Sequence, residues 1–175
     1  MVGFEHFSVY GFCTAYPKSH TVKLDPKSRR EEGNIVFQST DDGNIIVSWT
    51  PLSMAEERYS CLEEHVKDSV DRIRTRPRVK SVELVENRKM HVNSHEAVFS
   101  HIRMFFSLRR FWPFGKTFQE EIRSLHIYCR ASGRYFVLYS MATPDQSAIQ
   151  SRIFKNIIES FVCHKKKTDS SDSSI

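Results

Sequence analysis

Apolar positions recur at helical spacing in two stretches of the chain. From Met54 to Arg76, residues set 100° apart gather Ala55, Tyr59, Leu62, Val66, Val70 and Ile73 into a stripe about 80° wide. Glu56 and Glu57 fall in the first turn and Arg72, Arg74 and Arg76 in the last, which suits the helix dipole. Pro77 then disfavours the helical region for Arg76 and ends the element. The second helix follows Thr143-Pro144-Asp145-Gln146, with Thr143 expected as N-cap and Pro144 at the first helical position. Ile149, Ile153, Phe154, Ile157 and Phe161 cover an arc of about 140°, which predicts the more deeply docked helix.

Most of the remainder alternates at period two between tight turns. Strands are predicted over Ile35 to Ser39 and Asn44 to Thr50, joined by Thr40-Asp41-Asp42-Gly43. Ser81 to Glu86 reads as a strand, Asn87-Arg88 as a turn, and Met90 to Val92 as a shorter strand. After Asn93-Ser94-His95, Ala97 to Phe106 places Val98, Ile102, Met104 and Phe106 on one face. Ile122 to Tyr128 and Tyr135 to Ala142 flank Arg130-Ala131-Ser132-Gly133, an antiparallel connection. Tyr135 to Tyr139 is apolar on both faces, the mark of a central strand. Runs of strands with two helices predict an α+β fold, an antiparallel sheet packed with two main helices in an α/β sandwich.

Composition narrows this picture. The 175 residues fit one domain, expected over 10–163, with an extension at 1–9. Eleven of the last twelve residues, His164 to Ile175, are polar and cannot offset the entropy of ordering, so 164–175 reads as a disordered basic, serine-rich tail. No apolar run approaches the ~20 residues of a membrane-spanning helix. The first residues carry neither a basic region nor a continuous apolar one, unlike a secretory signal. Cys13, Cys61, Cys129 and Cys163 are widely spaced without a CxxC pair, which favours scattered reduced thiols over disulfides or a zinc site. A cytoplasmic, intracellular protein is the expectation.

Tyr16-Pro17 opens a strand segment, Thr21 to Leu24, followed by Gly33-Asn34-Ile35-Val36-Phe37 and Asn44 to Trp49. The long helix, Tyr135 to Ala142, and a closing Ile157-Ile158-Glu159-Ser160-Phe161 come after them. In these segments and their order the chain resembles the PsbP-like (Mog/PsbP-like) fold family, named after an extrinsic photosystem protein and including a eukaryotic Ran-GTPase-binding relative. The resemblance implies an architecture over most of 10–162, with no catalytic residue set to transfer.

Candidate chemistry is sparse. GxGxxG, P-loop, GxSxG and HExxH patterns are all absent. His91, His95 and His101 form the densest histidine group, with His126 on a later strand, but strand spacing carries His101 about 20 Å from the other two, so no metal ligand and no cofactor is assigned. Asp41-Asp42 fits turn chemistry, and Glu120 and Glu121 should face opposite sides of a strand.

The unusual stretch is the loop Arg109-Arg110-Phe111-Trp112-Pro113-Phe114-Gly115-Lys116, which sets three aromatics beside three cations where surface loops select polar residues. Arg109, Arg110, Phe111, Trp112, Phe114 and Lys116 are therefore the candidate partner-binding residues of a non-enzymatic interaction module, with a protein or peptide as the preferred partner. An anionic membrane surface and single-stranded nucleic acid are the lesser alternatives. The plain alternative is that the rings fold back to cap the core. A different reading is a small-molecule or metal-dependent enzyme, with a cleft between sheet and helix where His91, His95 or His126 meets a carboxylate. Arg72, Arg74, Arg76, Arg78 and Lys80 cannot share one stripe while a helix persists. Without the tail, whose three lysines and two aspartates leave +1 of the chain's +5, the body carries about +4, modest for a nucleic-acid binder.

Overall fold

The computed structural model describes residues 3–41, 43–107 and 116–164. Seven strands form one antiparallel sheet: β3 (Thr21–Leu24), β4 (Gly33–Gln38), β5 (Asn44–Pro51), β6 (Val79–Val92), β7 (His95–Ser107), β8 (Thr117–Cys129) and β9 (Arg134–Ala142), in spatial order β3-β4-β5-β9-β8-β7-β6. The strand apolar on both faces, β9, lies at the centre, as its pattern requires. A separate two-stranded ribbon joins β1 (Phe4–Val9) to β2 (Phe12–Pro17), so the segment read as an N-terminal extension supplies a paired strand.

The helices take opposite faces, because alternate residues of each strand point to opposite sides. One face carries the ribbon and α3 (Ser147–Ser160) over the main core, where Trp49, Phe12, Phe37, Phe136, Phe154 and Phe161 are fully buried. The other carries α1 (Leu52–Glu56) and α2 (Leu62–Arg74). Packing there falls into two separate apolar clusters. One joins Leu52, Ala55, Leu62 and Val66 to Val98 and Tyr128, and the other joins Val70 to Ile102, Met104 and Ile122.

Three expectations are corrected. The single helix over 54–76 is two helices with a break before Leu62. Glu64 reaches back to accept from the backbone N–H and hydroxyl of Ser60, both at 2.7 Å, and Cys61 at the N-cap is extended, so the helix restarts there. Asn87-Arg88 is not a turn, and β6 is one continuous edge strand with a register shift between Leu84 and Glu86. Thr143 is not the N-cap: its N–H and hydroxyl both donate to Gln146 Oε1, and α3 begins at Ser147. This phase buries Gln150 and leaves Ile149 exposed. The turns Asn93-Ser94 and Gly133 behave as read: Asn93 and Ser94 have φ of 49° and 68°, and Gly133 has 64°.

Candidate functional site

Of the residues singled out for partner binding, Arg109, Arg110, Phe111, Trp112 and Phe114 lie outside the described residues. Lys116 is exposed, one position before β8. On either side of these positions Ser107 pairs with Thr117, and the Phe106 and Phe118 rings stack at 5.8 Å. Phe118 remains 39% exposed. Two contacts bring the α2–β6 connection to this end of the sheet: the Ser107 N–H donates to the Arg78 carbonyl at 3.0 Å, and Lys80 Nζ donates to Thr117 Oγ1 at 3.0 Å. The helix stops at Arg74, so Arg78 and Lys80 lie beyond it and gather beside Lys116. None of these three cations pairs with a carboxylate among the described residues, whereas Arg72 and Arg74 pair with Asp68 and Asp71.

The gap between the two clusters under α2 is a cleft of about 300 Å³. Its floor is made of two neighbouring rows of the sheet face, Ser100, Ser124 and Tyr139 in one and His126 and Val137 in the next. Ser100 and Ser124 hydroxyls bond to each other at 2.8 Å and cannot extend the apolar packing on either side. His65 comes down from α2, stacked on Tyr59 at 4.3 Å and 3.2 Å from the Tyr128 hydroxyl. His126 is buried with its Nδ1 unpartnered; burial, reinforced by the nearby His65, lowers its pKa to about 3 and keeps the ring neutral. Arg72 and Arg76 stand at the rim. No carboxylate lines the cleft among the described residues, so the acid–base convergence expected of an enzyme there is absent from that set.

The other histidines separate. His101 Nε2 meets Glu121 Oε2 at 3.0 Å on the α3 face, beside Arg123 and the Ser147 hydroxyl. Burial pushes the Glu121 carboxyl up, but hydrogen bonds from Ser147 and His101 outweigh it and hold the carboxyl below its ordinary range. Glu120 lines a different recess, beside Ile46 and Met141, as alternation predicts for neighbouring strand residues. His91 is exposed on the edge strand.

His95 has partners that sequence reading did not give it. At the end of the sheet opposite the Ser107–Thr117 pair, His95 at the start of β7, Cys129 at the end of β8, and Cys163-His164 just after α3 bring four ligand atoms within 4.8 Å of one another. Both cysteines are fully buried. The Cys129 thiol is drawn down by its contact with the Cys163 thiol, which is itself pushed up. The spacing of 34 residues between Cys129 and Cys163 hides this group. The adjacent Cys163-His164 pair was its one local signal, and His164 read as the start of the tail.

No family model and no curated protein matches this chain. Solved structures do. A cyanobacterial PsbP, CyanoP from Synechocystis sp. PCC 6803, shares the fold at TM-score 0.60 and 11% identity over 93% of each chain. The Ran-binding protein Mog1p of Saccharomyces cerevisiae aligns at TM-score 0.57 and 12% identity over 93% of this chain and 96% of that one. A Pseudomonas aeruginosa protein of unknown function, a putative regulator, aligns at TM-score 0.53 and 11% identity over 93% and 99%. The α+β architecture is thus PsbP-like, as the sequence resemblance implied.

Proposed function

We propose that this PsbP-like chain is a non-enzymatic interaction module that engages an acidic, partly apolar protein surface through the end of the β7–β8 hairpin. The observation that carries the reading is the gathering of Arg78, Lys80 and Lys116, all without carboxylate partners among the described residues, around the root of a loop whose sequence holds Phe111, Trp112 and Phe114. Rings at such a tip supply buried apolar area, while cations at its base supply orientation and on-rate. The yeast protein with the same fold is a Ran-binding protein, which supports a protein partner over a lipid surface or a nucleic acid.

The chain has two tryptophans, and Trp49 is fully buried. Quenching of tryptophan emission by iodide therefore reports on Trp112. The reading expects a strongly quenched component that disappears in Trp112→Phe. It also expects Trp112→Ser with Phe114→Ser to abolish partner recovery from cell extract while Tm moves by only a few degrees. A shielded Trp112, or a double variant that loses most of its stability, sinks it in favour of a capped core. Flotation with anionic vesicles, or binding to single-stranded oligonucleotides that the double variant loses, would assign the loop to another partner class.

A second reading is favoured by the unpartnered, buried Nδ1 of His126. The cleft under α2 takes a small amphipathic anion, its apolar part against Ile102, Ile122 and Val137 and its charge toward Arg76.

A further inference from the structure

Three distances define the cluster at the far end of the sheet. His95 Nε2 lies 3.7 Å from Cys129 Sγ, and His164 Nδ1 lies 3.4 Å from Cys129 Sγ and 3.4 Å from Cys163 Sγ. A tetrahedral zinc ion with bonds of about 2.3 Å to sulfur and 2.0–2.1 Å to nitrogen sets its ligands roughly 3.6 Å apart for each sulfur–nitrogen edge. The observed edges bracket that value. A buried thiol hydrogen-bonded to one imidazole would need only one of these contacts, and a disulfide would need neither ring. Both cysteines are free.

We propose that His95, Cys129, Cys163 and His164 form a closed, four-ligand structural zinc site. Two thiolates and two imidazoles suit zinc and exclude magnesium or calcium, which take oxygen ligands. Four protein ligands fill the tetrahedron and leave no position for a substrate, so the role is structural. The four ligands come from three segments, and other contacts already hold the last of these, after α3, in place. The Asn93 side chain donates to the Phe161 carbonyl, Cys13 and Val162 exchange backbone hydrogen bonds at 2.9 and 2.8 Å, and Arg134 donates to the Cys163 carbonyl at 3.3 Å. Zinc there ties the segment after α3 to the ends of β7 and β8. Binding replaces the thiol protons, which leave to solvent, so uptake releases acid.

The test uses the full chain, made without a histidine tag and kept reduced. Elemental analysis should find one zinc per chain. Cobalt(II) loaded instead should show the visible bands of tetrahedral cobalt and a sulfur-to-cobalt charge-transfer band in the near ultraviolet. Cys129→Ser and Cys163→Ser should abolish that charge-transfer band, while Cys13→Ser and Cys61→Ser keep it. His164→Ala, at the outer end of the segment, should fold and lose at least about tenfold in zinc affinity, since even outer partners of a metal site contribute that much. Zinc should raise the Tm of the wild type and not of the double cysteine variant. Reduced wild-type chain that takes up neither zinc nor cobalt stoichiometrically overturns the proposal, and so does a cobalt spectrum unchanged by losing both cysteines.

Discussion

His126 meets His65 edge to face on the floor of the α2 cleft, with ring centroids 5.5 Å apart and planes crossed at 70°. Burial is the first cause of depression in both rings, and it carries His126 to about 3. In the unfolded chain a histidine titrates near 6.5, so between about 6.5 and 3 the unfolded state binds a proton that the folded state refuses. Stability is therefore full above that window and falls as pH descends through it. His126 alone should cost roughly 2 kcal/mol at pH 5 relative to pH 8. His65 and His101, also depressed, act with the same sign, and Glu121 adds a further loss below its unfolded value. Urea unfolding at the two pH values should show this difference shrinking by about that amount in His126→Gln. An unchanged pH dependence would mean that the ring is hydrated in the folded chain.

Arg134 is buried without a carboxylate partner among the described residues. Its guanidinium donates to the carbonyls of Tyr10, Arg30 and Cys163 at 3.0, 3.1 and 3.3 Å and lies over the rings of Phe12 and Phe136. It thus ties the ribbon, the loop before β4 and the segment after α3 to the centre of the sheet. Arg134→Met keeps the volume but strands these carbonyls, for an expected loss of about 3 kcal/mol or more in urea unfolding. Arg134→Lys should recover only part of it, because an ammonium cannot reach three acceptors in one plane. Equal stability of the Met variant would show that these carbonyls find water.

Gly33 opens β4 directly beneath the indole of Trp49. A Cβ there would sit 2.5 Å from Trp49 Cζ2 and 2.5 Å from Ser28 Oγ. The indole is held in place by its own Nε1–H donating to the Arg29 carbonyl at 2.9 Å, so it cannot simply turn aside. Gly33→Ala should lower stability by about 1–3 kcal/mol, as overpacking does, and shift Trp49 emission. A thermal scan that finds the variant as stable as the parent would show that the Ser28 loop yields without cost.

How far the fold was legible depended on the range of the forces that set each element. Tyr135 to Tyr139 declared a central strand because the requirement to bury both faces is written in one run of side chains. The Asn93-Ser94 turn and Gly133 were legible because positive φ narrows the choice of residue. The break before Leu62 was not, because the stripe from Ala55 to Ile73 continues through it and only the reach of Glu64 to Ser60 shows the restart. The candidate sites were less legible still. Arg78 and Lys80 lie past Pro77, outside the expected helix, but the spacing of the basic run does not show that they meet Lys116 at one end of the sheet. The Cys129, Cys163, His95 and His164 group exists only because the sheet and the segment after α3 bring both ends of distant strands together. Periodicity reports burial, and it carries no information on such convergence.

The cleft itself yields the last prediction. Its floor carries Ser100, Ser124 and His126, where the clusters on either side carry Val98, Tyr128, Ile102 and Ile122. Small polar side chains there leave the space empty, and Arg76 at the rim has no carboxylate partner among the described residues. A naphthalene carboxylate is small enough to enter, offers an apolar ring to Ile102, Ile122 and Val137, and brings one negative charge to Arg76. Titration followed by methyl NMR should shift the signals of Ile102, Ile122, Val137 and Met141 ahead of all others. Arg76→Ala should weaken binding roughly tenfold, the loss of one charge-assisted contact at a rim. Ser124→Leu should fill the floor, abolish binding and leave Tm equal or higher, because apolar volume then joins the two clusters that the serine row divides. Binding that survives Ser124→Leu places the ligand elsewhere and removes the cleft as a recognition site.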